Sequence, residues 1–333
     1  MMSSGRVFIT PGEPSGIGGE ILIKSIQTGI GQLLTRDDPD RLARLADDLG
    51  KPIDLKVVES VEATSNLPDR TLGVIPMTWP EAPIPGLPSA ANAQAVIDSI
   101  TVGAELARDG RVLGLVTNPI QKSTLYAAGF KSPGHTEYLA EIDGPQSRPV
   151  MMLVSPMLKV VPLTIHIPLK DVSSAITETK IIETATTLDT ALRRDFNLQT
   201  PRIAVTGLNP HAGEDGTLGR EEIDVIIPAL KKLTDMGILV SGPFSADTLF
   251  HEDRRQDYDA VIAMYHDQAL VPIKTLDFHG GVNTTLGLSY IRTSPDHGTA
   301  LDQAGKFTTS PVSLMAAINL AFEMARNRQG RHA

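Results

Sequence analysis

Short apolar runs, each ending at a turn and most separated from the next by a helix-period segment, limit this chain more than any other feature. The runs at residues 6–10 (RVFIT), 53–58 (IDLKVV), 112–116 (VLGLV), 151–154 (MMLV), 160–165 (VVPLTI), 202–207 (RIAVTG), 238–241 (ILVS) and 260–264 (AVIAM) all have strand length. Between them, helical patterns are expected over residues 20–28 (closed by Gly29), 40–49 (closed by Gly50), 89–109, 171–197, 220–236 (kinked at Pro228) and 311–328. In the third of these, Val96, Ile100, Ala104 and Ala107 share one face. Strands that alternate with helices build parallel sheets, so the pattern predicts an α/β protein. Six prolines between residues 68 and 88 mark an irregular crossing segment around the single tryptophan, Trp79, and this segment reads as scaffold.

A chain of 333 residues corresponds to about two domains at ~150 residues each. It contains no cysteine, which removes disulfides, thiolate nucleophiles and cysteine-bound zinc together. A transition metal would have to be held by His, Asp or Glu. The N-terminal residues carry no apolar signal segment and no apolar run reaches membrane-spanning length, so a cytoplasmic location without membrane association is expected. A net charge of -9 argues against a nucleic-acid partner and leaves room for a local basic pocket around a small anion. The turn PGEPSGIGG at residues 11–19 follows a strand and precedes a helix, but fits neither the dinucleotide-binding nor the phosphate-loop glycine spacing.

Chemistry concentrates at residues 259–306. His266 and Asp267 follow the run AVIAM, His166 follows VVPLTI, and His211 follows IAVTGLNP. Each histidine therefore lies at or just beyond the carboxyl end of a strand, where ligands bind in open α/β sheets, and parallel strands would bring those ends to one edge. Three neutral imidazoles with no fourth protein ligand describe an open catalytic metal site, suited to Zn, Co, Ni or Fe more than Mg. Lys274, Asn283 and Arg292, among glycines in the same stretch, read as anion binders: Arg292 offers a planar fork and Lys274 a point charge. Arg292 lies within the apolar-flanked run LSYIRT, where an unpartnered guanidinium would be costly.

These residues carry a family resemblance. TPGEPSGIGGE, TNPIQKSTLYAAGF, PGHTEYL, LNPHAGEDGTLGREEID, SADTLF, AMYHDQAL and GVNTTLGLSYIRTSPDHGTALDQAG, spread from Thr10 to Gly305, resemble the 4-hydroxythreonine-4-phosphate dehydrogenase family of pyridoxal phosphate biosynthesis. The resemblance implies a two-domain, three-layer α/β/α fold of the isocitrate/isopropylmalate dehydrogenase type. One domain would comprise residues 1–140 with 285–333 and the other residues 141–284, with the active-site cleft between domains and at a homodimer interface. It implies NAD as oxidant, with NADP as the alternative, and one divalent metal (Zn, Mg or Co) per active site. His166, His211 and His266 match the family's metal ligands, drawn from both subunits, and His135, Thr136, Lys274, Asn283 and Arg292 match its substrate-binding positions. His297, Gly298, Thr299, Ala300 and Asp302, with Ala304-Gly305-Lys306, resemble the superfamily's adenosine-binding loop, although Leu301 and Gln303 replace its usual proline and isoleucine. Thr284-Thr285, beside Asn283, is a smaller departure.

The implied reaction is oxidation of 4-phosphooxy-L-threonine, a small phosphorylated hydroxy-amino acid, to 2-amino-3-oxo-4-(phosphooxy)butanoate. Decarboxylation then gives 3-amino-1-hydroxyacetone phosphate. Asp247 and Lys274 are the candidates for proton transfer, and the residues do not choose between them. Three other readings stay open: a paralogue acting on a four-carbon sugar acid 4-phosphate or an aromatic dihydrodiol carboxylate, a metal-dependent hydrolase, and a non-catalytic phosphate-ligand binding protein, for which three imidazoles exceed what binding alone requires.

Overall fold

Of the runs with strand length, those apolar on both faces pair in the interior, as fully buried parallel strands require. The computed structural model describes residues 5–50 and 52–330. Among these the chain forms β1 (Val7–Thr10), β2 (Leu33–Asp37), β3 (Leu55–Val57), β4 (Leu72–Pro76), β5 (Gly114–Thr117), β6 (Val150–Val154), β7 (Lys159–Pro162), β8 (Ile203–Thr206), β9 (Val240–Phe244), β10 (Ala260–Ala263), β11 (Val282–Leu286) and β12 (Arg292–Pro295). The chain divides into two units, one running to Pro149 and including Leu288–Arg326, the other comprising Val150–Gly287 and the residues from Asn327 onward.

In the first unit the strand order is β3-β4-β2-β1-β5-β12, parallel throughout. Helix Ala93–Arg108 presents Val96, Ile100, Ala104 and Ala107 to a core containing Phe8 and Leu115. Its approach depends on Gly103, where a Cβ would stand 2.6 Å from Phe8 Cδ1. Any larger residue would push the helix off the sheet and overpack the core. Ser89 caps a short 3₁₀ turn ahead of this helix, accepting from the Ala91 amide. The guanidinium of Arg6 is buried and donates to the carbonyls of Leu33, Thr64, Leu67, Pro68 and Thr71, pinning residues 64–71 to the start of β1.

In the second unit the order is β11-β6-β7-β10-β8-β9. β7, β10, β8 and β9 run parallel, while β6 is antiparallel to both β7 and β11. Leu153, Val160, Ala204, Val261 and Ala263 form its buried apolar centre, with Ala269 and Ile273 from helix His266–Leu276 packed against them.

Several elements differ from the expectation. β2 (LLTRD), β11 (VNTTL) and β12 (RTSP) carry too much polarity to read as strands. Their threonines are buried by side-chain bonding: Thr35 Oγ1 donates to the Ile9 carbonyl at 2.7 Å and Thr293 Oγ1 to that of Ala317 at 2.8 Å. β4 lies inside the proline-rich segment, which is therefore more than a crossing loop. The helix expected at residues 171–197 is broken into a 3₁₀ turn Leu169–Asp171 and helices Val172–Ala175 and Glu178–Phe196, the last capped by Thr177 and closed by Asn197 in the left-handed region. Before Pro228 the chain makes a π turn, Glu222–Ile226, and Pro228 then falls in the first turn of helix Ile227–Asp235. The helical backbone is continuous through this point, and the wide turn accommodates the missing N–H of Pro228 in place of a kink. No described helix is long and apolar enough to cross a membrane.

Candidate functional site

The second unit places all three strand-end histidines on one edge, because β7, β10 and β8 are neighbours and parallel. His166 follows β7, His266 opens helix His266–Leu276 after β10, and His211 follows β8. The rings of His166 and His266 lie 5.9 Å apart, centroid to centroid, at 45°. Two imidazoles on one tetrahedral ion, each with a metal–nitrogen bond near 2.0–2.1 Å, have centroids roughly 5 Å apart, so this pair stands slightly wider than a ligated pair and within a small side-chain adjustment of it. His266 Nδ1 lies 2.7 Å from Asp267 Oδ1, which favours a proton on Nδ1 and leaves Nε2 as the ligating nitrogen. His211 does not complete the set within one chain: no group of three His, Cys, Asp or Glu side chains stands at metal-binding spacing among the described residues.

His211 sits on an unusual support. Residues His211, Ala212, Gly213, Glu214 and Asp215 all have positive φ, a left-handed turn that costs non-glycine residues about 1 kcal/mol or more each. The buried carboxylate of Glu222 holds it: Oε1 accepts from the amides of Leu208 (2.7 Å) and Asn209 (2.8 Å), and Oε2 from Asn209 Nδ2 (2.9 Å). A side chain at Gly213 would meet Glu222 Oε2 at 2.6 Å, so glycine is required where the carboxylate enters.

The other expected residues of this unit are more dispersed. Asp247 is exposed at the start of helix Ala246–Leu249 and accepts from Ser245 Oγ at 2.5 Å. Lys274 lies in the last turn of helix His266–Leu276, its Nζ 5.7 Å from the centre of the Phe278 ring. Asn283, in β11, has a buried Oδ1 with no hydrogen-bond partner.

In the first unit Arg292, 3% exposed, opens β12 beside β5. Its Nη2 and Nε donate to Thr117 Oγ1 at 2.7 and 3.2 Å. Burial lowers the guanidinium pKa to about 10, with Tyr290 and Glu137 acting in the opposite sense. His135 and Thr136 begin helix His135–Asp143. The His135 imidazole is held well below its usual pKa, by burial first and then by the positive charges of Arg292 and Lys122. Its Nε2 is buried without a hydrogen-bond partner. A neutral imidazole with an open ring nitrogen beside two cations suits an anionic, hydrogen-bonding ligand. Thr117, Lys122 and Glu137 were not expected in this set. Their sequence signals are position, Thr117 and Lys122 following the apolar run 112–116, and membership of the stretches TNPIQKSTLYAAGF and PGHTEYL, which hold Thr117, Lys122 and Glu137. Asn118, fully buried, donates Nδ2 to the Thr10 carbonyl at 3.0 Å and keeps a buried Oδ1 without a partner.

The segment compared with an adenosine-binding loop packs on the turn after β1: the Ile17 amide donates to the Thr299 carbonyl at 3.2 Å. His297 Nδ1 bonds the Gly298 carbonyl at 2.9 Å while Nε2 is buried and unpartnered, Ala300 has a positive φ, and Asp302 bonds the Gln303 side chain. A cavity of about 370 Å³ touches this segment only at Gly305 and Phe307, and Arg41, Arg44, Trp79 and Pro85 line its other walls.

Parallel strands in both units define an α/β protein, in which the described residues bring two histidines near one another at a sheet edge and set a buried arginine near a buried histidine. Residues 10–321 match the family described as pyridoxal phosphate biosynthetic protein PdxA, and the chain belongs to that family. It is 47% identical over 332 residues to the 4-hydroxythreonine-4-phosphate dehydrogenase of Bradyrhizobium diazoefficiens, covering 95% of this chain and 96% of that one. Among solved structures, the 4-hydroxythreonine-4-phosphate dehydrogenase of Klebsiella pneumoniae superposes with a TM-score of 0.87 at 35% identity, over 96% of this chain and 99% of that one. A terephthalate 1,2-cis-dihydrodiol dehydrogenase from Burkholderia xenovorans superposes with a TM-score of 0.67 at 27% identity, over 96% and 98%.

Proposed function

We propose that this protein is a 4-hydroxythreonine-4-phosphate dehydrogenase that uses NAD and a divalent ion held by His166, His211 and His266. The His166–His266 ring pair supports the metal assignment, because its 5.9 Å between centroids, at the carboxyl edge of parallel strands, lies within about 1 Å of the spacing of two imidazoles on one ion. When bound, the ion supplies a Lewis acid for the substrate hydroxyl and NAD accepts the hydride. The third imidazole comes from a second copy, in a homodimer whose subunits share ligands, as the family resemblance implies.

Arg292 holds the phosphate or carboxylate through its planar fork, steadied by Thr117. His135, kept neutral, turns Nε2 to a substrate oxygen, and Thr136 adds a hydroxyl. Asn283 directs its open Oδ1 to a substrate donor such as the amino group, while Lys274 supplies a further positive charge. The hydroxyl proton passes to Asp247 or Lys274. Loss of carbon dioxide from the resulting β-keto acid gives 3-amino-1-hydroxyacetone phosphate.

An NADH-linked assay of 4-phosphooxy-L-threonine, with and without divalent metal and alongside sedimentation, tests this. The expected result is metal-dependent NADH formation by a dimer. Turnover undiminished after exhaustive chelation would overturn the metal assignment. Preference for an aromatic dihydrodiol carboxylate would favour the second reading, which the likeness to the Burkholderia xenovorans enzyme supports.

A further inference from the structure

We propose that Gln268 is a positioning residue for the metal centre, linking the three strand ends that carry the histidines; this rests on the metal reading above. Gln268 lies one turn into the helix that His266 opens, yet its carboxamide turns back to the sheet. Its Oε1 accepts from the Met264 amide at 2.7 Å and from Thr206 Oγ1 at 2.8 Å, and its Nε2 donates to the Gly207 carbonyl at 2.9 Å. One side chain therefore joins the end of β10, which leads to His266, to the end of β8, which leads to His211.

The link extends to the third strand. The Met264 carbonyl accepts from Thr164 Oγ1 at 2.8 Å and from the Thr164 amide at 3.3 Å, two residues before His166. Thr164, Met264 and Thr206 are fully buried, so water offers no substitute partner. Both lone pairs of Oε1 are used and an N–H is needed at the other end, a requirement glutamine meets and glutamate or methionine does not. Removing a partner that orients a ligating histidine typically weakens metal binding ~10–100-fold.

The test titrates Co²⁺ into metal-free full-length protein against a competing chelator, following d–d absorption, for wild type, Gln268→Met and Gln268→Glu. Val205→Ala, a core substitution in β8 that leaves the carboxamide bonds alone, controls for lost stability. The expected outcome is a ~10–100-fold weaker Co²⁺ complex with an altered spectrum in both Gln268 variants, and near-wild-type binding by Val205→Ala. Equal binding by wild type and the Gln268 variants would overturn the proposal while leaving the metal reading intact. A loss in Val205→Ala as large as in Gln268→Met would also overturn it, because affinity would then follow stability alone. Failure of wild type to bind Co²⁺ would remove both. Should the Gln268 variants not fold, Thr206→Val, which cuts only one bond of the link, decides, with several-fold weakening expected and unchanged affinity overturning the proposal.

Discussion

Arg292 is anchored on Thr117 by two hydrogen bonds to one hydroxyl oxygen, Nη2 at 2.7 Å and Nε at 3.2 Å. A hydroxyl fixes a guanidinium without cancelling its charge, which then acts on whatever anion occupies the surrounding space. Burial first, and then the same charge added to that of Lys122, discourages protonation of the His135 ring.

Arg292→Lys keeps a positive charge and loses the fork. The expected loss in kcat/KM is ~10 to 1,000-fold, or roughly 1.4 to 4 kcal/mol, on the phosphorylated substrate. A dephosphorylated analogue should lose much less if the fork holds phosphate. Because the group is buried at the start of β12, a stability loss of about 1–3 kcal/mol should accompany the change. Equal kinetic losses on both substrates would assign Arg292 to another part of the molecule.

The depressed pKa of His135 has a defined pH signature. Its folded value lies below the unfolded value near 6.5, so the unfolded chain binds the extra proton first as pH falls. This contribution to stability is complete above about pH 6.5 and declines from there down to the folded pKa, at up to ~1.4 kcal/mol per pH unit. His135→Gln removes that slope. Urea unfolding of both proteins at pH 7.5 and pH 5.5 should show wild type losing more stability than the variant on acidification; parallel losses would mean that the folded imidazole protonates freely.

Glu222→Gln changes one atom in the clamp beneath His211. Turning Oε1 to the Leu208 and Asn209 amides points the new NH₂ at Asn209 Nδ2, itself a donor. The expected cost is about 1–3 kcal/mol, with faster amide exchange confined to residues 207–216. Exchange unchanged in that segment would show that the left-handed turn is held without the carboxylate.

Arg6→Lys leaves three donors on one nitrogen to serve five spread carbonyls. A loss of about 2–4 kcal/mol is expected in chemical unfolding, with earlier proteolysis in residues 64–71. Wild-type stability in this variant would mean that the loop is held by its backbone alone.

The strand-end histidines were legible from local pattern, since an apolar run followed by a turn and a polar residue is a property of adjacent positions. Residue chemistry in the same stretch gave Lys274, Asn283 and Arg292 as anion binders, the family resemblance extended the reading to His135 and Thr136, and the structure adds that His135 Nε2 and Asn283 Oδ1 are buried without partners. β2, β11 and β12 were not legible: their threonines and Arg292 are tolerated inside only because partners distant in sequence satisfy them, as Ala317 does for Thr293. The link through Gln268 was equally hidden, since it joins residues about sixty positions apart along the chain. Composition and periodicity determined the class of fold, the absence of cysteine chemistry and the placing of histidines after strands, because these follow from neighbouring residues. Tertiary structure alone decided that the His166 and His266 rings stand 5.9 Å apart while His211 completes no metal-binding group among the described residues, and that burial lowers the His135 pKa. Distances and desolvation depend on which strands pair, and that pairing is chosen by the packing of the whole unit.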